Sequence, residues 1–264
     1  MTNPLLTSLE ENGIATVTLN RPDLHNAFND DLIWELTDTF TKLGANPDVR
    51  GVILTGAGKS FSAGADLNWM KEAASYSTTQ NLRDAQNLSD MLNTVNRCPK
   101  PTIAIVTGAT FGGGVGLVSC CDIAIAVDGS IFSLSEVRIG LTPATISPYV
   151  VAAIGERAAR RYFLTAERFT AEEARRIGLV HETAPTLQAA FTLTHSIIKN
   201  ILAGAPSAQT DAKALIASVV GREITEDLRA DTALRIAERR GSTEGQEGLS
   251  AFLEKRKPTW SAEK

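Results

Sequence analysis

Two stretches of the chain run through the same order of residue types. VILTGAGKSFSAGADL (residues 52–67) and AIVTGATFGGGVGL (residues 104–117) each pass from an apolar strand through Thr-Gly-Ala to a Phe, a glycine-containing loop and a helical start. A supersecondary unit used more than once has to stack on its copies to bury its apolar face, so the chain reads as turns of a spiral. The flanking patterns agree. GIATVTL (13–19), GVIL (51–54), TIAIV (102–106) and IAIAV (123–127) are short β-rich runs, the last closed by the turn Asp128-Gly129-Ser130. Helical periodicity occupies residues 29–43, 80–96 and 171–177, with Thr170 as the N-cap of the last and Gly178 as its stop. This is an α/β chain whose strands are short and buried.

At 264 residues and 43% hydrophobic content the chain can bury a substantial core. From Ala203 onward the strands stop, and helical, charge-rich segments run to FLEKRKPTW (252–260). The expected division is a spiral core over residues 1–202 and a helical region over 203–264, attached through AGAPSAQ (203–209). A net charge of −4 and a pI near 5.5 provide no field for nucleic acid or anionic lipid, so neither is expected as a partner. Cys98, Cys120 and Cys121 lack metal-ligand spacing and read as small buried hydrophobes in a reducing compartment; no metal is expected. The first residues, MTNPLLTSLEENG, have neither the basic start nor the apolar core of a signal peptide, and no apolar run reaches membrane-spanning length. A cytoplasmic protein is expected.

The glycines of FGGGVGLVSCCDIAI (111–125) need a chemical reason. A phosphate loop requires a Lys that does not follow them. A dinucleotide fingerprint requires a third glycine where Leu117 stands. A nucleophile elbow fails around Ser62, which is S-x-S-x-G. What survives is a pair of free backbone N–H groups at helix starts, one from each repeat, where unpaired first-turn donors favour negative charge. Brought together, they would make an oxyanion hole.

FSAGADL (61–67), FGGGVGLVSCCDIAIA (111–126), FSLSEVRIGLTP (132–143), the opening LNRPDLHNAF (19–28) and the tail FLEKRKPTW resemble, in order and over nearly the whole chain, the enoyl-CoA hydratase/isomerase, or crotonase, family. The resemblance implies a crotonase-like spiral of ββα repeats and a helical C-terminal oligomerisation region, building a homotrimer or hexamer. It implies acyl-CoA thioester substrates, with coenzyme A arriving as part of the substrate and no separate cofactor. It places the two oxyanion donors at the amides of Ala65 and Gly113. The acyl-CoA is expected to meet Leu24, Ala27, Ala65, Asp66, Leu67, Asn68 and Gly113. Asp66, at a helical start, also reads as an N-cap. Trp69 and Met70 either line the acyl pocket or pack beneath it. His25 lies in the CoA-contacting loop and reads as a surface histidine. His181 and His195 have no neighbours in sequence that suggest chemistry, and Lys255 and Lys257 either reach CoA phosphates from another subunit or are solvated.

Hydratases of this family share proton transfer between two glutamates. The second corresponds to Glu136, among Leu134, Val137 and Ile139, where an apolar setting raises a carboxyl pKa. The first falls on Gly116. One carboxylate suits a double-bond isomerase as well as a hydratase. The wording of GADLNWM, GGGVGLVSCCDIAIA and SEVRIGLTPATISPYV is similar to bacterial hydratases of branched, methylglutaconyl-type CoA esters. A dienoyl isomerase would carry an aspartate where Ala144 stands. Arg138 would recognise a substrate carboxylate if the segment is extended and alternation puts it on the face of Glu136. The rival of another class is a non-catalytic binding protein with this fold.

Overall fold

The computed structural model describes residues 3–261, so the outermost residues of the expected core and C-terminal region, 1–2 and 262–264, lie outside the described residues. Two compact units are present. The first comprises Met1–Cys98 and Thr102–His195. Its elements run β1 (Leu5–Leu9), β2 (Ile14–Leu19), α1 (Asp30–Ala45), β3 (Gly51–Gly56), β4 (Ser60–Ser62), α2 (Leu67–Ala73), α3 (Thr78–Asn96), β5 (Thr102–Val106), β6 (Ala109–Phe111), α4 (Gly113–Ser119), β7 (Ile123–Val127), β8 (Ile131–Ser133), α5 (Ser147–Thr165), β9 (Phe169–Thr170), α6 (Ala171–Arg176), β10 (Glu182–Ala184) and the start of α7 (Leu187–Ala203).

Three successive turns, β3–β4, β5–β6 and β7–β8, each contribute one strand to each of two sheets and are followed by a helix, whereas β1 and β2 both lie in the larger sheet. The larger sheet has the order β1-β2-β3-β5-β7-β10 and the smaller β4-β6-β8-β9. β2, β3, β5 and β7 pair in parallel, and β3 and β5 are buried almost throughout. Parallel strands covered on both faces need continuous apolar runs, which is why these were visible as such in the sequence. α1 starts at Asn29, whose side chain accepts the Leu32 N–H, and buries Leu32, Leu36 and Phe40 at helical spacing. α3 buries Met91, Leu92 and Val95.

The repeat is real but its register differs from the sequence alignment. Thr55 pairs with Ile105, not with Thr107. In the first copy Thr55 and Gly56 still belong to β3, whereas Thr107 and Gly108 already form the turn into β6. The difference is absorbed by an irregularity between Ser60 and Ser62 where β4 meets β6.

The second unit comprises Pro99–Pro101 and Ser196–Lys264, so the division falls inside α7. It adds α8 (Pro206–Val219), α9 (Glu226–Gly241) and α10 (Thr243–Leu253). Thr225 and Ser242 cap α9 and α10, and the Trp260 indole N–H donates to the Ala203 carbonyl at 3.2 Å. Among the described residues no helix is long and apolar enough to cross a membrane.

Candidate active site

The site is organised by the loop after β2. Asn26 adopts a left-handed backbone, φ 54°, a region that Asn tolerates better than most residues. Its buried side chain accepts the Arg21 N–H at 2.8 Å and donates to the carbonyls of Ala57 and Ser60 at 2.9 and 2.8 Å. Arg21 then ties the loop to the first glycine segment: its guanidinium donates to the Ala27 carbonyl and to Asp66 Oδ2, the latter at 2.8 Å. Main-chain bonds complete the seam, from Ala63 N–H to the His25 carbonyl, Phe28 N–H to the Gly64 carbonyl and Asp66 N–H to the Phe28 carbonyl.

This seam decides where Ala65 points. Phe28 and Ala65 form a parallel bridge in which Phe28 bonds to the residues on either side of Ala65. The intervening residue in such a ladder turns its own N–H the other way. The Ala65 N–H therefore faces away from Phe28 with no acceptor among the described residues, and Ala65 is exposed. Gly113 opens α4, where its N–H also has no acceptor among the described residues. The loops before the two amides touch: a Cβ on Gly64 would stand 3.0 Å from the Phe111 carbonyl oxygen and 3.9 Å from Gly112 Cα. Gly64 and Gly112 have φ of +88° and +49°, so these positions need glycine for conformation and for closeness.

Glu136 completes the cluster. A Cβ on Gly112 would lie 3.0 Å from Glu136 Oε1, while Oε2 is buried with no hydrogen-bond partner. Burial pushes its pKa above the ordinary carboxylate range. Glu136 to Ile139 form a 3-10 turn closed by Gly140 in the left-handed region, so the segment is not extended and the alternation expected to place Arg138 beside Glu136 does not apply. Arg138 lies on the exposed side of the turn. Gly116, the position matching the family's first glutamate, is buried under Ile146: a Cβ there would stand 2.2 Å from Ile146 Cγ2 and 2.6 Å from its Cβ. The space for a second carboxylate is occupied by an aliphatic side chain.

The other expected contacts divide. Leu24 and Asn68 are exposed, and Leu67, 74% exposed, stands at the first position of α2 next to the Ala65–Asp66 segment. Ala27 is buried. Asp66 caps α2, accepting the Asn68 N–H at 2.8 Å. Burial raises its pKa, but the Asn68 amide and Arg21 outweigh this and leave it below the usual range. The Trp69 indole donates to Asp84 Oδ1 at 3.1 Å. The His25 Nδ1 lies 3.0 Å from the Ser60 hydroxyl, the His181 Nδ1 accepts the Ala124 N–H, and the His195 Nδ1 meets the Phe191 carbonyl. Cys98 and Cys120 are buried and Cys121 half-buried, and none forms a disulfide among the described residues. Lys257 is exposed, and Lys255 is exposed with φ 55°. Sequence reasoning missed Arg21, Asn26, Phe28 and Ile146, because each acts on partners far along the chain; the only signal was their presence in the quoted LNRPDLHNAF and TPATISP wording.

The comparisons with known proteins address the whole chain. The family model described as enoyl-CoA hydratase/isomerase matches residues 9–263. A crystal structure of an enoyl-CoA hydratase from Shewanella pealeana is 43% identical, covers 97% of this chain and 96% of its own, and has a TM-score of 0.94. Pseudomonas aeruginosa AtuE is 35% identical over 98% of this chain and 99% of its own, also with a TM-score of 0.94. An enoyl-CoA hydratase structure from Mycobacterium smegmatis is 32% identical over 97% and 98%, with a TM-score of 0.91. Two glycine loops in contact, a carboxyl packed against Gly112, and a match along nearly the full length lead to one conclusion: this chain belongs to the enoyl-CoA hydratase/isomerase family.

Proposed function

We propose that this chain hydrates the α,β double bond of an acyl-CoA thioester. The thioester oxygen accepts hydrogen bonds from the Ala65 and Gly113 amides, which are directed before any charge develops. The Glu136 carboxylate takes a proton from water as the oxygen of that water bonds to Cβ. The π electrons move through Cα to the thioester oxygen, giving an enolate. Glu136 returns the proton to Cα, the carbonyl reforms, and one water has been added with no proton left over. Each amide donor of this kind is worth about 3 kcal/mol of barrier lowering. General acid–base transfer by one carboxyl contributes about 10²–10⁴-fold. The observation that carries the reading is the Glu136 carboxyl lodged against Gly112 with one buried oxygen uncommitted.

The finer parts of the proposal are a branched, glutaconyl-type acyl group and work in the cytoplasm as a homotrimer or hexamer. No cofactor is included beyond the coenzyme A of the substrate. Glutaconyl specificity is supported by the sequence wording alone, since the turn over Glu136–Ile139 does not bring Arg138 beside the proposed acid/base. The second reading, a double-bond isomerase, is favoured by the aliphatic filling over Gly116, which leaves a single carboxyl to lift a proton from one carbon and return it to another.

The test is the enoyl-thioester absorbance with crotonyl-CoA, 3-methylglutaconyl-CoA and a 3-enoyl-CoA. Loss of conjugation supports hydration. Gain of conjugation from the 3-enoyl compound alone would replace it with isomerisation. No change with any thioester would overturn both and leave a binding protein.

A further inference from the structure

The two amides come from different spiral turns, and one buried side chain touches the support of each. Phe28 is 1% exposed. Its main chain brackets Ala65, donating to the Gly64 carbonyl at 2.7 Å and accepting the Asp66 N–H at 2.9 Å. Its ring lies directly beneath Gly113, where a Cβ would stand 3.0 Å from Phe28 Cε2 and 3.1 Å from Cδ2. Gly113 is thus in contact with the edge of a flat, rigid ring whose own backbone is registered on the opposite loop.

We infer that Phe28 is the positioning residue that fixes the separation of the two oxyanion donors, its backbone holding Ala65 and its ring stopping Gly113. This rests on the amide-pair reading above and adds the part that sets its spacing. An oxyanion accepts two donors well only when both lie at about 2.7–3.1 Å, so the spacing of the donors matters more than their presence. The ring can set it because an aromatic side chain has few rotamers and a buried one is held on all sides. A smaller, rounder side chain at position 28 would keep the backbone seam and leave a gap into which the Gly113 peptide relaxes. Arg21 and Asp66 hold the Ala65 side of the seam through charge, whereas Phe28 reaches both loops with its own atoms.

The experiment uses acetoacetyl-CoA, a thioester with an acidic α-carbon, whose ultraviolet enolate band reports polarisation of the thioester oxygen without turnover. Phe28→Leu is compared with Phe40→Leu, a Phe of equal burial within α1. Phe28→Leu is expected to lower the bound enolate fraction, and kcat with crotonyl-CoA, by about tenfold, a part of the ~100-fold that a 1 Å misplacement can cost. Affinity for free coenzyme A should stay within about twofold, and Phe40→Leu should keep the wild-type band. Gly113→Ala, whose Cβ presses on the ring, should weaken the band by itself, and Phe28→Leu should restore part of it in the double variant. Should Phe28→Leu fail to fold, Phe28→Met and Gly113→Ala carry the same comparison. A wild-type enolate band in Phe28→Leu or in Gly113→Ala overturns the inference and leaves the amide pair standing. No enolate band in the wild-type protein overturns the amide pair, and Phe28 loses its role with it.

Discussion

Glu136 has one oxygen against Gly112 and the other buried without a partner among the described residues, and burial outweighs the one contribution that favours the charged form, a hydrogen bond from its own backbone N–H. Its raised pKa gives the proposed chemistry a direction in pH. The carboxylate takes the proton of water, so kcat/KM should fall as pH drops through the raised pKa, and Glu136→Gln should lose about 10²–10⁴-fold on the plateau above that pKa and lack that limb. An unchanged acid limb in the variant would assign the titration to another group. Stability moves the other way. A carboxyl whose folded pKa lies above its unfolded value binds its proton more tightly when folded, so its contribution is full below the ordinary carboxylate range and is lost as pH rises through the raised value. Glu136→Gln should therefore gain on the wild type as pH rises, read as a growing difference in denaturant midpoint. Gly116 gives a second residue-level prediction. Gly116→Ala drives a Cβ into Ile146 and should cost about 1–3 kcal/mol by overpacking. Adding Ile146→Ala should recover part of this in urea unfolding; additive losses would show that the two do not share the space. Glu136 was legible because its apolar neighbours adjoin it in sequence. Ile146 was not, because no local pattern reveals which residue fills a hole left by a distant glycine.

At the scale of elements, the junction of the first loop with α2 depends on one partly buried ion pair and one cap. Asp66→Asn keeps an acceptor for the Asn68 N–H but loses charge against Arg21, and should cost about 1.5–3 kcal/mol as a lost charge-assisted hydrogen bond. Asp66→Ala also removes the cap and should cost about 1 kcal/mol more. Calorimetry of the two variants separates these contributions, and equal losses would mean that the cap contributes nothing. Because the folded pKa of Asp66 is lowered, its stabilisation is present above the ordinary carboxylate range and is lost as pH falls through the lowered value. The long apolar strands and amphipathic helices were readable from periodicity. β4, β6 and β8 have three residues each, too few for a period, and only the ββα turn that the family resemblance implies announced them. The condition on which Arg138 would share a face with Glu136, an extended segment after β8, is not met because Gly140, at φ 77°, closes a tight turn there.

For the whole molecule, the α/β spiral and the change to helices near residue 200 were both visible, since stacking of a repeated unit and the end of strand-forming runs are long-range properties of the pattern. Which surfaces remain uncovered was not visible. In the C-terminal unit Ile224 and Phe252 are each 81% exposed, and Val220 and Leu253 are also exposed. Exposed apolar side chains of this size are what the proposed assembly would cover. Sedimentation velocity is expected to give a trimer or hexamer, and Phe252→Glu to shift the distribution toward smaller species; a wild-type monomer at assay concentrations would contradict the assembly. The central claim concerns a thioester oxygen, and it is tested most directly by a crystal structure with a bound 3-hydroxyacyl-CoA. The account predicts that oxygen at about 2.7–3.1 Å from both the Ala65 and Gly113 nitrogens, with the Glu136 carboxyl facing Cα and Cβ. A thioester oxygen bonded elsewhere, or Glu136 turned to solvent in that complex, would contradict it.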